Sequence, residues 1–348
     1  MRRCTIKDIA EAAGISHTAV SLALRNHPKV SAETREKVRK LAEQMGYRPD
    51  PLLGALVAYR QGLRPAGFRE TIAWVTNYST QDGWRINAYN KYFEGATERA
   101  QQLGYSIDEV WLREPGVSAR QVSRVFRARG IRGALICPLP DRMHRLNLPW
   151  EQLTAVTFGH GIVAPKLNRV SCDHMAAMVL AIRMLRRHGY RRIGLAIPLA
   201  HDVRVRHSYS AAYCSEQQRQ RISGEIPIFF SRESAEKTAL RRWVKQYKPD
   251  AVLTVGYGWV PEWFEQNRGS LAGDFTVVLV CSHEKRPHYS GIDEDSKITG
   301  ASAVDLLFGQ LLRNESGVPA HSQILLTQPR WVDGTEFAPC RGNCRLAR

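Results

Sequence analysis

Residues Thr5–Arg25, TIKDIAEAAGISHTAVSLALR, constrain the fold more than any other stretch of the chain. Thr5 has Asp8 three residues on, which is capping-box spacing. Ile6, Ile9, Ala10 and Ala13 then recur at helical intervals, so one face of a first helix is apolar. Gly14 can take the left-handed backbone that ends a helix. Ile15 fills the space beside it, and Ser16 caps a second helix that turns Val20 and Leu24 inward. His17, Thr18, Ser21, Leu22 and Arg25 are left on the outer face of that helix. A third helix follows: Ser31 caps it, Val38, Leu41, Ala42 and Met45 repeat at helical spacing, and Gly46 stops it. Two short helices joined by a tight turn, with a third behind them, spell a helix-turn-helix. Such a motif offers the N-terminal end of its second helix to the major groove of DNA.

The next piece, Tyr47–Arg60, holds Asp50 as a cap and Pro51 at the first helical position, so a short helix is predicted. Alone it is too short to persist in water and needs a partner. Residues 61–70, QGLRPAGFRE, read as a linker. Beyond it, apolar strands alternate with amphipathic helices: strands at 71–77, 105–112, 133–138, 155–158, 169–172, 192–197, 226–230, 251–255, 275–280 and 324–327. Helices fall at 173–188, 209–221, 234–247 and 296–312, with others around Phe93–Leu103 and after Ser118. Such alternation predicts parallel βαβ units with helices on both faces of the sheets, and ligands held at the carboxyl ends of the strands.

Charge agrees with a nucleic-acid partner without locating it. Lys and Arg outnumber Asp and Glu by 17, but residues 1–60 carry 11 basic and 6 acidic residues, so most of the excess sits on the body. No apolar run approaches the ~20 residues of a membrane span. The start, MRRCTIKDIAEAAG, lacks the apolar segment of a signal peptide, so a cytoplasmic protein is expected. The seven cysteines are scattered, as in a reducing compartment. Cys340 and Cys344 lack the further ligands a zinc site takes, so neither a metal nor a cofactor is expected. There is no G-x-S-x-G elbow, P-loop or H-E-x-x-H, and no enzyme is predicted.

Residues 4–60, with their helix-turn-helix, the run VSAETREKVRKLAEQMGYRP at 30–49 and the short helix after it, resemble the head of the lactose-repressor (LacI/GalR) family. The resemblance implies that His17 and Thr18 read bases. It makes Ser16 and Ser21 backbone or phosphate contacts, with Thr5 and Arg25 at the same interface. It also places Leu56 where a hinge leucine wedges between central base pairs, kinking the duplex by unstacking a step. Two positions depart from the family. Leu22 stands where an arginine is usual, and Asp50 where an asparagine is usual, so the operator should differ from the family's common one. The segment VSCDHMAAMVLAIRMLRRHGYRRIGLAIP at 170–198 resembles the start of the second lobe of the family's body, which looks like a periplasmic sugar-binding protein.

The expected fold is therefore α/β: an all-α helix-turn-helix head at 1–48, a hinge helix and linker at 49–70, and a two-lobed periplasmic-binding-protein-like body of parallel βαβ sheets at 71–330. A tail at 331–348 completes it. Lobe one is expected at about 71–161 and 293–324, and lobe two at about 162–292. Positions that follow strands, or match the family's cleft, make Asn77, Trp84, His160, Arg206, Phe230, Tyr257, His283 and Glu294 candidate effector residues. The same residues also read structurally: Trp84 packed beneath its loop, Phe230 in the core, Arg206 in a surface ion pair. The family's usual polar anchors are replaced by Gly256-Tyr257 and by residues around Leu279–Ser282, leaving Tyr257, Trp259 and His283 as substitutes. The resemblance implies a homodimeric repressor of a near-palindromic operator, with a small-molecule effector, first of all a sugar. The alternatives are an exported solute-binding protein, and a regulator controlled by a partner protein or a non-sugar metabolite.

Overall fold

The computed structural model describes residues 6–24, 30–45, 70–85, 89–140, 146–219, 225–232, 236–267, 275–281 and 286–335. Thr5, Arg25, the predicted hinge helix with Asp50 and Leu56, His283, and Cys340 with Cys344 lie outside the described residues.

The head is three helices, α1 (Ile6–Ala13), α2 (His17–Leu24) and α3 (Ala32–Gln44). Ile9, Val20, Ala23 and Val38 are fully buried and form its core. Gly14 sits at φ +67°, where a side chain would strain the backbone, and the Ile15 N–H donates to the Ala10 carbonyl at 3.2 Å to close the turn. The Ser16 hydroxyl accepts from the Ala19 N–H at 3.1 Å, and Ser31 does the same for Thr34 at 3.1 Å. Ala23 takes the inward position beside Val20, while Leu24 is only half-buried.

The body is built on two sheets. In the first, β1 (Glu70–Thr76), β2 (Tyr105–Trp111), β3 (Gly133–Ile136), β4 (Thr154–Phe158), β5 (Asn168–Cys172) and β11 (Ile324–Thr327) run parallel in the order β11-β5-β4-β3-β1-β2. In the second, β6 (Ile193–Pro198), β7 (Phe229–Ser231), β8 (Ala251–Thr254), β9 (Thr276–Leu279), β10 (Ser290–Asp293) and β12 (Arg330–Val332) take the order β12-β10-β9-β8-β6-β7. Only β12 is antiparallel to its neighbour, β10. The central strands are buried on both faces, which is why they read as continuous apolar runs rather than alternating ones.

Helices between the strands are α4 (Tyr89–Gln102), α5 (Ala119–Ala128), α6 (His174–Arg187), α7 (Leu199–Arg204), α8 (Ser208–Arg219), α9 (Lys237–Tyr247), α10 (Trp259–Asn267) and α11 (Ser296–Leu312). Ser118 and Gln121 close the expected capping box on α5. Two helices were not anticipated: α7 is only one and a half turns long, and α10 carries Pro261 in its first turn.

The lobe boundaries differ from expectation. β5 pairs with β4 and β11 in the first sheet, so the chain first crosses at Asp173 rather than near residue 161. It returns after Asp293 and crosses again between Thr327 and Arg330. A four- or five-residue apolar strand carries no mark of which sheet it will join; its pairing with β11, some 150 residues later, decides it. The three crossings lie side by side. The Asp173 N–H donates to the Thr327 carbonyl at 3.0 Å, and the Thr299 and Thr327 hydroxyls are 3.0 Å apart.

Where α11 re-enters the first lobe it meets α4 at backbone contact. A Cβ on Gly300 would stand 2.0 Å from the Tyr92 carbonyl oxygen, and one on Gly95 2.0 Å from the Lys297 oxygen. Gly300→Ala should therefore cost about 1–3 kcal/mol or more by forcing the helices apart, whereas Gly309→Ala, which meets only the end of the Arg313 side chain, should cost little. Urea unfolding of both variants checks this; equal stability would show that the helices can separate freely.

Candidate functional site

Two places in the molecule carry chemistry. The first is the start of α2, where Ser16, His17 and Thr18 are exposed on consecutive positions. Ser21 is half-buried one turn on. Leu22 departs from its expected outward position: it is half-buried and packs against the head core, because a short helix wedged between two others has little purely outer face.

The second is a cleft of about 870 Å³ between the lobes. The Gly159–Lys166 loop and β5 supply His160, Lys166 and Arg169 from one side. The segment from Pro198 through α7 supplies His201, Arg204 and Arg206 from the other, with Tyr257 from the loop after β8. Arg204 reaches across. Its guanidinium donates to the Leu139 carbonyl at 2.7 Å, the Tyr89 hydroxyl at 3.3 Å and the Pro140 carbonyl at 3.5 Å, all on the first lobe. Arg169 donates to the carbonyls of Gly159 and Ile162 at 3.2 and 3.4 Å, which fixes the loop that carries His160.

Behind the cleft, at the crossings, lies a buried polar chain. His201 shares a hydrogen bond with the Tyr257 hydroxyl, sits 3.8 Å from Cys281 Sγ and stacks on Tyr209. The Tyr209 hydroxyl donates to the Val280 carbonyl and lies 3.2 Å from His174 Nδ1. His174 in turn is 3.5 Å from Glu294 Oε1. Burial holds the His201 imidazole down at about 4 and His174 at about 3, with neighbouring Arg204 and His201 adding to the respective effects. Both rings are therefore neutral at pH 7. Cys172, His174 and Glu294 place a thiol, an imidazole and a carboxylate within 4.8 Å of one another, three donors of the kind a soft divalent cation takes. Burial and the Glu294 charge push the Cys172 thiol up, so it is protonated in this arrangement.

Residues 5–50 match the family model of bacterial regulatory proteins, lacI family. Over those residues the chain is similar to the heads of lacI-family regulators. Its curated relatives include the regulator AglR of Rhizobium meliloti, 47% identical over 205 residues, which cover 55% of this chain and 51% of that one. MalR of Streptococcus pneumoniae is 39% identical over 190 residues, 54% of this chain and 55% of the relative. The probable repressor ExuR of Bacillus subtilis is 34% identical over 103 residues, 26% and 29% of the two chains. The match thus spans about half the length of the first two relatives and under a third of ExuR. Among solved structures, a CelR–cellobiose complex has a TM-score of 0.54 at 18% identity, over 95% of this chain and 98% of that one. The lac repressor dimer bound to operator and the anti-inducer ONPF has 0.52 at 20%, over 97% and 100%. These two likenesses establish the fold: a helical head and a two-lobed α/β body.

The structure brings His160, Arg206 and Tyr257 to the cleft, with Glu294 beside His174 at the crossings. Three other candidates are elsewhere. Trp84 is fully buried in the first lobe, 5.5 Å from Trp74 and 5.2 Å from Phe93 between ring centroids, so its faces are covered rather than offered to a ligand. Phe230, on edge strand β7, packs against the second-lobe core. Asn77 is buried after β1, where its Oδ1 accepts from Arg113 Nε at 3.3 Å. Sequence reasoning missed Lys166, Arg169, His201 and Arg204. The available signals were an arginine beside Val170 and Cys172 in a short strand and the repeated Arg204-Val-Arg206.

The buried histidines have a pH consequence. Unfolded histidine takes up its proton near 6.5, whereas His201 in the folded chain takes it up at about 4. The folded state thus binds fewer protons between these values, and stability present above pH 6.5 is lost as pH falls toward 4. The loss from His201 alone is on the order of 3 kcal/mol. Denaturation of wild type and His201→Gln at pH 7.5 and 4.5 should show a shallower pH dependence in the variant; parallel losses would mean that His201 is not the titrating group.

Proposed function

We propose that this chain is a sequence-specific DNA-binding transcription regulator, acting as a repressor, whose hold on its operator is set by a small molecule in the cleft. The observation that carries the reading is the head: residues 5–50 match the lacI-family model, and Ser16, His17 and Thr18 stand exposed at the start of α2. A helix N-terminus favours phosphate, and side chains on its first turn reach base edges. Ser16 Oγ already caps α2, which leaves its hydroxyl proton for a phosphate oxygen. His17 and Thr18 are the base readers. Leu22, half-buried, offers at most an apolar edge, where the family's arginine would read guanine.

A homodimer reading a near-palindrome suits a two-fold assembly of such heads. The lac repressor neighbour is a dimer bound to operator, and the CelR neighbour a complex with cellobiose. A sugar in the cleft of this chain follows that pattern, and the protein would act in the cytoplasm, where its DNA is. A ligand regulates only through unequal affinity for two arrangements of the lobes. Arg204, anchored on first-lobe carbonyls, is the contact such a ligand would strengthen or replace.

Selection of duplexes from a random pool, followed by fluorescence anisotropy, tests the reading. The protein should enrich one near-palindromic site, with affinity falling steeply as salt rises. His17→Ala and Thr18→Ala should each cost about 1–3 kcal/mol on that site while leaving random duplex affinity unchanged. A pool that shows no enrichment removes the proposal.

A further inference from the structure

Four cationic side chains, Lys166, Arg169, Arg204 and Arg206, converge on the cleft together with His160. No aspartate or glutamate is among the described residues that line it. Arg169 and Arg204 rest on carbonyl oxygens, neutral partners that leave their charge uncompensated. The Arg206 guanidinium has neither an ion pair nor a hydrogen bond among the described residues. His160 Nδ1 is buried with no hydrogen-bond partner. Asp202, fully buried beneath the wall of the cleft, is already committed. It accepts from the Ser210 N–H and hydroxyl at 3.1 and 2.8 Å and pairs with His207 at 3.0 Å. Glu294 faces His174 at the crossings.

A cleft lined this way repels itself. Burial, and then the charges of Arg169 and Arg206, hold His160 down at about 4; burial and Arg206 lower Arg169 as well. Like charges gathered without a counter-ion have this effect. Repulsion runs across the cleft too, because Lys166 and Arg169 belong to the first lobe and Arg204 and Arg206 to the second.

We propose that the cleft takes an anionic small molecule, one bearing a carboxylate or a phosphate, gripped by Arg206 from the second lobe and by Arg169, Lys166 and His160 from the first. The inference rests on the reading of the cleft as the effector site and sharpens it: the sugar, if it is one, is acidic or phosphorylated. Guanidinium forks match both oxyanions with paired hydrogen bonds. An anion between the lobes turns their repulsion into attraction, so it binds the closed arrangement better than an open one, which is the differential affinity a switch requires.

The test compares D-glucose, D-glucuronate, glucose 6-phosphate and inorganic phosphate on the full chain at one fixed ionic strength, by thermal shift and calorimetry. At least one charged probe should raise the melting temperature, glucose should not, and the charged probe that binds tighter separates carboxylate from phosphate. Arg206→Gln, whose guanidinium makes no ion pair or hydrogen bond among the described residues, should melt at or above wild type without probe, since a like charge leaves the cleft. It should bind the charged probe roughly tenfold more weakly or worse. In wild type, imidazole NMR should find His160 titrating above about 4 once the probe is bound. Binding by glucose alone, no response to any charged probe, or undiminished binding in Arg206→Gln overturns the inference. An anion that binds through Arg206 yet leaves operator affinity unchanged keeps the anion site and refutes its role as effector site. A neutral sugar that releases operator does the opposite.

Discussion

The guanidinium of Arg204 crosses from one lobe to the other and ends on the backbone of the first, 2.7 Å from the Leu139 oxygen. Much of the body's behaviour depends on that contact. Carbonyl dipoles stabilise a cation without neutralising it, so the bridge adds one more positive charge to a cleft that already holds Arg169, Arg206 and Lys166. A carboxylate in place of the carbonyls would have made a locked ion pair and a filled site. The arrangement instead leaves two lobes bridged across the cleft by Arg204 and pushed apart by like charges, which is a balance a ligand of opposite sign can tip.

The hinge gives that balance a direction. Three chain segments cross between the lobes in parallel, at Asp173, at Glu294–Asp295 and between Thr327 and Arg330, tied by the Asp173 and Thr327 hydrogen bonds. Parallel crossings permit the lobes to swing about one line and resist other motions. The crossings also carry Cys172, His174 and Glu294, so a thiol, an imidazole and a carboxylate sit together on the hinge line. Buried histidines kept neutral there tie the packing of the hinge to pH. Any coupling between the cleft and the DNA contact proposed for the head must run both ways, since it is a free energy shared by the two sites.

Much of the fold was readable in the residues. The helical spacing of Ile9, Val20 and Val38, the Gly14 turn and the apolar runs of β1 and β8 are local signals, and the structure follows them. The cleft was only half readable, because its walls come from residues 160, 169, 204 and 257, brought together by strand order alone. Position after a strand found His160, and the family's cleft positions found Arg206 and Tyr257, but position after a strand equally named Asn77 and Trp84. An indole that can stack on a sugar packs just as well against Trp74 and Phe93, and burial decided between them. Arg169 went unnoticed because it opens a short run, with Val170 and Cys172, that reads as a buried strand; Lys166 and Arg204 look like the surface charges that abound in a chain this basic.

Electron–electron resonance between nitroxides on non-natural residues at exposed Gln101, in the first lobe, and Lys245, in the second, measures the bridge directly. With Arg204 in place and no ligand, the lobes should give a single narrow distance. Arg204→Gln should lengthen or broaden that distribution, as repulsion across the cleft goes unopposed. An unchanged narrow distribution in the variant would mean that the lobes are held by something other than the arginine on the Leu139 carbonyl, and the account of the cleft would fail with it.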